Sequence, residues 1–180
     1  MTLQGGRDEG ILIVNAYRVA HKKSDNSGPN TAFTREYTSL RSKGMAEPEP
    51  RTEVLKEIKA IVEEKRAKGY RPVVMIDANG IPNHAKDPDK ELRQFTKDLG
   101  LVDVYHERYP DQIQTYVRGT KRLDMILMDP ALVGAVKAIG YLGSHQGTLS
   151  NHAIPWVDFH EKLLFKGIIN RPVPVHTQEF

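Results

Sequence analysis

The stretch VVMIDANG, residues 73–80, decides how we interpret the chain, because an apolar run ends there in two polar side chains. The run VVMI is short and rich in β-branched residues, which predicts a buried β-strand. Residues two apart on a strand point to the same side, so Asp77 and Asn79 would direct a carboxylate and an amide at one point. A carboxylate there can orient a water molecule or bind a hard cation. Alone, the tetrapeptide DANG is more typical of a turn, since Asp, Asn and Gly all favour turns.

Strands and helices alternate on both sides of this stretch. The run ILIVNAY at 11–17 predicts a second buried strand, and an apolar stripe at 51–68 predicts an amphipathic helix. A second helix is predicted at 88–99, with Asp87 as its N-cap and Pro88 at its first position. Further short strands are predicted at 101–105, 123–128, 136–142 and 153–159. The expected fold class is therefore α/β (α+β), with a mixed β-sheet layered with helices.

The composition limits the class of protein without identifying one. The chain has 180 residues, of which 39% are hydrophobic, and these values suit one globular domain. We place this domain at 11–160, between an N-terminal arm at 1–10 and a C-terminal arm at 161–180. No apolar run is long enough to cross a bilayer, and the N-terminus lacks the pattern of a signal peptide. Because cysteine is absent, disulfides and thiolate zinc sites are excluded, and we expect an intracellular protein of the nucleus or cytoplasm. The net charge of +3 weakly favours a polyanionic partner.

Two further polar stretches precede apolar runs, RLD at 122–124 and SNH at 150–152. Singly, each is explained by a surface Arg–Asp pair or by a polar turn. Together they suggest more, because a carboxylate beside an imidazole fixes its tautomer and stabilises its charged form. Asp124 would do this for His152. Strands of opposite direction can present their ends at one sheet edge, so we expect both stretches to converge with Asp77 on one cleft.

The order of these motifs resembles the endonuclease/exonuclease/phosphatase superfamily, which has the DNase I-like fold. The resemblance rests on Tyr17 after an apolar strand, then Asp77 and Asn79, then Asp124 in RLD and His152 in SNH. It covers nearly the whole of the predicted domain, and four motifs occur in the family's order. It implies a metal-dependent phosphodiesterase that hydrolyses the phosphodiester bonds of nucleic acid, in the manner of an endonuclease.

The resemblance also implies a role for each matched residue. Asp77 would orient or deprotonate the attacking water, and Asn79 would stabilise the site around the scissile phosphate. Tyr17 would contact that phosphate. Asp124 would pair with the catalytic histidine, and His152 would be that histidine, which binds or protonates the phosphoryl group. These five residues are the expected catalytic set.

The stretch TYVRGTKRLD at 115–124 is especially similar to the endonuclease-like domains of non-LTR retrotransposons. Its cations, Arg118, Lys121 and Arg122, are expected to bind the phosphates of the substrate, with salt-dependent affinity. The expected partner is nucleic acid, with DNA ahead of RNA, and no membrane.

The cofactor implied by the resemblance is Mg²⁺ or Mn²⁺, held by Asp77, Asn79 and Asn151. Oxygen ligands of this kind suit a hard cation. Asn151 departs from the family, which has an aspartate at this position. An amide oxygen coordinates a cation more weakly than a carboxylate, so we expect partial or shifted metal dependence.

A second departure concerns the N-terminal half of the family's domain, which supplies further strands and a metal-binding glutamate. The chain starts at the strand predicted for 11–17, so the expected architecture is a DNase I-like half, or a truncated four-layer sandwich. An apolar sheet face would then be exposed, at a cost of about 25 cal/mol per Å². A homodimer is the favoured cover, ahead of residues 21–50 or 160–180, or of a separate chain.

Two alternative functions remain open at this stage. The absent glutamate and Asn151 favour a catalytically impaired remnant that binds nucleic acid without cleaving it. A phosphatase of the same superfamily, acting on small phosphoesters, ranks third, because no loop identifies a lipid or sugar headgroup.

Overall fold

The fold is described from a computed structural model, for residues 1–4, 10–21, 28–83, 88–109, 113–143 and 150–164. The helices are α1 (Ala32–Ser42), α2 (Pro50–Arg66), α3 (Lys90–Asp98), α4 (Val104–Arg108), α5 (Pro130–Val133) and α6 (Glu161–Leu164). The strands are β1 (Thr2–Gln4), β2 (Gly10–Tyr17), β3 (Tyr70–Asp77), β4 (Val102–Asp103), β5 (Asp124–Met128), β6 (Val136–Leu142) and β7 (Ile154–Phe159). None of these helices is both long and apolar enough to cross a membrane.

The main sheet is mixed and has five strands. Its order is β1-β2-β3-β5-β4, in which β2 and β3 are parallel and all other neighbours are antiparallel. Parallel neighbours need a crossover connection, and α1 and α2 lie in the connection between β2 and β3. Strands β6 and β7 form a separate antiparallel hairpin. The predicted α/β class, a mixed sheet layered with helices, is confirmed.

Two apolar cores lie on opposite faces of this sheet. Helices α2 and α3 cover one face, where the buried side chains include Leu55, Ile58, Val62, Leu92 and Phe95. The β6–β7 hairpin covers part of the other face, where the buried side chains include Ile126, Met128, Val136 and Ile139. The ends of β3 and β5 are therefore held from both sides, and this fixes the place where the polar stretches meet.

The second predicted helix begins at a different residue from the expected one. Helix α3 starts at Lys90, and Asp89 is its N-cap, since the Asp89 side chain accepts a hydrogen bond from the Leu92 amide at 3.0 Å. The prediction used Pro88 as the first helical residue and Asp87 as the cap, and Asp87 lies outside the described residues. The sequence DPD offers two aspartates, and only tertiary contacts of Asp89 decide between them.

The strand predicted at 101–105 is much shorter than expected. Strand β4 contains only Val102 and Asp103, after which the chain turns into α4. Asp103 caps that helix, because its carboxylate accepts a hydrogen bond from the His106 amide at 3.3 Å. The prediction of a longer strand was wrong because the apolar alternation of LVDVY hid a capping aspartate.

Part of the predicted N-terminal arm belongs to the sheet. Residues Thr2–Gln4 form β1, which pairs antiparallel with the first residues of β2. The Met1 amino group also donates to the Ile13 carbonyl at 2.9 Å. At the other end, Glu161–Leu164 forms the short helix α6, and residues 165–180 lie outside the described residues.

Candidate active site

Two carboxylates and one imidazole meet where β3 ends and β5 begins. His152 Nδ1 lies 3.0 Å and 3.3 Å from the two carboxylate oxygens of Asp124, and 3.8 Å from Asp77 Oδ2. Asp77 and Asp124 are direct partners in the β3–β5 register, so the antiparallel pairing itself brings them together. The structure thus places three of the five expected catalytic residues around one point.

Pairing with the segment around Tyr116 holds His152 beside the carboxylates. Tyr116 and His152 form an isolated antiparallel bridge, flanked by hydrogen bonds from Val117 N to Asn151 O at 3.0 Å and from Ala153 N to Thr115 O at 2.8 Å. The Tyr116 ring also packs on the imidazole, with 4.9 Å between ring centroids. Backbone pairing and ring packing together fix the orientation of the histidine.

Thr115 is a supporting residue that the sequence interpretation did not single out. It is 1% exposed, and its hydroxyl accepts hydrogen bonds from the amides of Leu123 and Asp124 at 2.8 and 3.2 Å. These bonds hold the start of β5 against the 115–121 loop. The sequence shows that Thr115 is the first residue of TYVRGTKRLD, but its burial depends on the tertiary structure of the loop.

The electrostatics of the cluster favour a proton on one carboxyl group. Burial, and after it the nearby charge of Asp124, raise the pKa of Asp77 from 3.8 to about 6, although the charge of His152 opposes the shift. Two carboxylates this close repel one another when both are ionised. A proton or a cation between them would relieve that repulsion.

Tyr17 stands beside this cluster at the end of β2. The parallel register pairs it with Asp77, and its side chain is 52% exposed. Burial of part of the ring, followed by the charge of Asp77, raises the pKa of the Tyr17 hydroxyl above its ordinary value, so it stays protonated and can donate a hydrogen bond.

A cleft of about 630 Å³ adjoins the cluster and is lined by residues of β2 and β3, the first residue of β5 and the start of β7. Its lining includes Tyr17, Asp77 and Asp124 at one end and the apolar side chains of Ile13 and Met75 further along. The cleft therefore joins the carboxylates to an apolar surface, and the expected exposed sheet face remains a prediction.

Asn79 lies just beyond β3 in an unusual backbone conformation. Its φ is +44°, in the left-handed region, and its side-chain amide nitrogen donates to the Arg18 carbonyl at 2.9 Å. Because the NH₂ group is used in this way, the amide oxygen is left as an acceptor or ligand. Two buried arginines, Arg18 and Arg51, surround this turn, and the sequence interpretation did not single them out.

The three cations expected to bind substrate divide into two groups. Arg118 and Lys121 are exposed on the 115–121 loop, which pairs with the segment that contains His152. Arg122 is 6% exposed and forms a two-point ion pair with Asp103, with its guanidinium 5.6 Å from the centre of the Tyr105 ring. Its expected substrate contact does not fit this placement, because the guanidinium is already occupied in fixing β4 to the start of β5.

Tyr141 adds a second supporting contact from the hairpin. Its hydroxyl donates to the Asp124 carbonyl at 2.7 Å and accepts from Arg122 Nη1 at 3.3 Å. Burial raises the pKa of Tyr141 to about 12, so the hydroxyl keeps its proton at neutral pH. The hairpin thereby holds the backbone of Asp124.

A metal ion fits the donor set in part. One ligand atom from each of Asp77, Asp124 and His152 can be chosen so that all three lie within 4.8 Å of one another. Carboxylate oxygens suit a hard divalent cation, but His152 Nδ1 already faces Asp124, which favours a hydrogen-bonded pair over ligation by that nitrogen. Asn151 is exposed, and its backbone carbonyl accepts a hydrogen bond from the Val117 amide; the expected role of its side-chain amide oxygen as a metal ligand remains a prediction.

Comparison with known proteins assigns the fold. No protein-family model matches the sequence, and no curated protein matches it either. Among solved structures, a 3′ phosphatase from Neisseria bound to a product DNA hairpin is similar over 84% of this chain, with a TM-score of 0.54 and 18% identity. A 3′–5′ exonuclease from Neisseria meningitidis is similar over 83% of this chain, with a TM-score of 0.56 and 18% identity. The chain spans 61% of the length of each of these two structures, and the fold it shares with them is DNase I-like.

Proposed function

We propose that the chain is a divalent-metal-dependent phosphodiesterase that hydrolyses nucleic acid. The observation that carries this proposal is the meeting of Asp77, Asp124 and His152 at one point, with the imidazole 3.0 Å from one carboxylate and 3.8 Å from the other. A pair of carboxylates around an imidazole supplies a base, an acid and a group that orients the acid.

The residues divide the chemistry between them. Asp77 accepts a proton from a water molecule as the water oxygen bonds to phosphorus, and the bond from phosphorus to the leaving oxygen breaks. Asp124 accepts a hydrogen bond from Nδ1 of His152 and fixes the orientation of the ring, and the imidazolium form donates from Nε2 to a phosphoryl oxygen or to the leaving oxygen. Tyr17 donates a hydrogen bond to another phosphate oxygen from the end of β2, and Asn79 stabilises the site around the scissile phosphate from the turn after β3.

Mg²⁺ or Mn²⁺ is the proposed cofactor, held by Asp77 with the amide oxygens of Asn79 and Asn151. When bound, such a cation withdraws charge from the phosphate and neutralises the carboxylates around it. The raised pKa of Asp77, near 6, supports a cation site here, because uncompensated negative charge is what raises it after burial.

The two similar structures suggest which substrates to try. One is named as a 3′ phosphatase and the other as a 3′–5′ exonuclease, so both names concern 3′ ends. Substrates for this chain should therefore include 3′-phosphorylated and 3′-hydroxyl DNA ends beside internal phosphodiester bonds. An internal, endonucleolytic cut is our preferred reaction, and the relation to non-LTR retrotransposon endonucleases remains a prediction.

Nicking of supercoiled plasmid tests the proposal. We expect nicking with Mg²⁺ or Mn²⁺ that is lost on adding EDTA and lost in His152→Ala. The matched control is His160→Ala, since His160 is exposed beyond β7 and should leave nicking unchanged. End-labelled duplexes with 3′-phosphate or 3′-hydroxyl termini run in parallel would reveal an end-directed reaction. Nicking that persists in EDTA and in His152→Ala would refute the proposal.

A nucleic-acid-binding function without catalysis is the second candidate. The observation in its favour is that Arg118 and Lys121 are exposed on the loop beside His152, where they can bind phosphates whether or not the site cleaves. Tight, salt-sensitive binding with no hydrolysis under either metal would establish it. Hydrolysis of small phosphate esters with no effect on DNA would favour a phosphatase.

A further inference from the structure

Three buried side chains, Arg18, Arg51 and Asp89, and the half-exposed Glu91 form a charged network behind the turn that carries Asn79. Arg18 is 1% exposed and Arg51 is 3% exposed, and both contact Asp89. We infer that Arg51 is a positioning residue of the active site, which holds Asn79 in place and ties together the ends of β2 and β3. The inference rests on the proposed function, because it assigns to Arg51 a role in the same reaction.

Arg51 bridges three segments of the chain from the first turn of α2. Its guanidinium donates to the Val19 carbonyl after β2, to the Asn79 carbonyl after β3 at 3.2 Å, and to Asp89 Oδ2 at 2.9 Å. Both strand ends that carry proposed site residues are therefore bonded to one planar group. A planar fork of this kind fixes directions as well as distances.

Arg18 completes the connection from the side of Tyr17. Its Nη1 and Nη2 bind Asp89 at 2.6 Å and Glu91 at 2.8 Å, and its Nε donates to the Arg51 carbonyl at 2.9 Å. Its own backbone receives the Asn79 side-chain amide at 2.9 Å and donates to the Asp77 carbonyl at 2.9 Å. The residue after Tyr17 is thus locked to the turn that contains Asn79.

The turn needs such support, because its backbone is not relaxed. A non-glycine residue with a φ of +44° is uncommon and persists only where its surroundings hold it. Gly80 makes the support possible: a Cβ at that position would lie 2.3 Å from Asp89 Oδ2. The glycine of DANG therefore lets the Asp89 carboxylate approach the turn closely.

The network is a costly way to achieve stability alone. Arg51 Nε is buried and has no hydrogen-bond partner among the described residues, and an unsatisfied buried donor costs about 1–3 kcal/mol. Buried ion pairs can often be replaced by apolar side chains without loss of stability. A role in placing Asn79 explains why two guanidinium groups occupy this position.

Two substitutions of Arg51 test this positioning role: Arg51→Lys keeps the charge and Arg51→Met removes it. Arg51→Lys keeps the charge but loses the fork, so Asn79 loses its carbonyl bond while the ion pair with Asp89 persists. We expect kcat to fall about 10- to 100-fold with KM changed by no more than about twofold, as for a misplaced catalytic group. Arg51→Met should lower kcat at least as far.

The control is Arg66→Lys, near the last turn of the same helix. Arg66 binds the Leu99 carbonyl at 2.6 Å and Asp129 at 3.0 Å, away from the proposed site. It should leave kcat unchanged. Circular dichroism establishes that each variant is folded, and if Arg51→Met does not fold, Arg51→Lys decides the matter alone.

A second readout does not depend on catalysis. The side-chain NH₂ resonances of Asn79, assigned by their loss in Asn79→Asp, should shift in Arg51→Lys and stay in place in Arg66→Lys. If wild type hydrolyses nothing, the proposed function fails, and this resonance still decides whether Arg51 positions Asn79. A folded Arg51→Lys with unchanged kcat, or with unmoved Asn79 resonances, would overturn the inference.

Discussion

Asp77 shows a conflict between stability and chemistry at the scale of one residue. Its side chain is 17% exposed, and it lies beside Asp124, so ionising it in the folded protein is unfavourable. A carboxyl group with a pKa of about 6 is nonetheless well suited to act as the proposed general base at neutral pH. The interactions that raise the pKa of Asp77 therefore also lower the free energy of unfolding once the carboxyl group is ionised.

Replacing Asp77 by asparagine should therefore stabilise the protein while abolishing hydrolysis. The folded-state pKa lies above the unfolded value of 3.8, so stability is lost as the pH rises from about 4 to about 6. Asp77→Asn removes that loss and should gain roughly 2–3 kcal/mol at pH 7.5, at about 1.4 kcal/mol per pKa unit. Urea unfolding in EDTA at pH 4 and pH 7.5 measures the gain, which should shrink at the lower pH.

Asp158→Asn is the matched control, because Asp158 is exposed on β7. It should show no such pH-dependent gain. If the free energies of unfolding of Asp77→Asn and wild type differ by the same amount at pH 4 and at pH 7.5, the prediction is wrong.

The sequence revealed the residues that touch the proposed chemistry better than those that support them. Asp77, Asp124 and His152 follow or precede apolar runs, and a sheet edge brings such positions together. Arg122 was expected at the substrate, because a surface arginine and a buried one look alike in sequence. The sequence interpretation also missed Arg51, because its partners Asp89 and Asn79 are 38 and 28 residues away along the chain.

At the scale of elements, the long strands and helices were predictable and the short ones were not. The strand at 73–77 and the helix at 51–68 each bury a periodic apolar set, and both are present as β3 and α2. The strand predicted at 101–105 was too long, because Asp103 caps α4 and also forms an ion pair with Arg122. Side-chain capping of this kind overrides a weak strand pattern, and it depends on contacts that only the fold supplies.

We predict that the loop at 115–121 binds phosphates of the nucleic acid. We expect the double variant Arg118→Ala/Lys121→Ala to bind duplex DNA more weakly, without a change in fold. Each lost phosphate contact should reduce the slope of log affinity against log salt by about 0.9, so the slope should fall by about two. Fluorescence anisotropy in a salt series, with catalysis suppressed by EDTA, measures it.

Lys56→Ala serves as the control, because Lys56 is exposed on α2, on the other side of the sheet. Its slope should equal that of wild type. If the loop variant retains the wild-type slope, the loop does not bind phosphates.

At the scale of the molecule, the hairpin leaves apolar side chains facing outwards. Leu142 is 43% exposed, Ile154 38% and Trp156 36%, and Leu142 and Ile154 are partners across β6 and β7. We expect a homodimer whose population rises with protein concentration, because covering this face and the adjoining cleft removes apolar surface from water. Sedimentation velocity over a range of concentrations measures the dimer.

Ile154→Lys should shift that equilibrium to monomer, because it places a charge in the apolar face. Ile61→Lys is the control, since Ile61 is 44% exposed on α2 and lies away from the hairpin. A wild-type protein that stays monomeric at every concentration would show the homodimer prediction to be wrong.

The distribution of the site along the chain has a consequence for biosynthesis. Tyr17, Asp77, Asp124 and His152 come from segments far apart in sequence, and His152 is held beside the others in part by its bridge to Tyr116. Pairing between distant segments closes late in folding. A nascent chain on the ribosome could thus build β2, β3 and their helices while remaining catalytically inert. Under the proposed function, hydrolysis would begin only after the segment leading into β7 has left the exit tunnel.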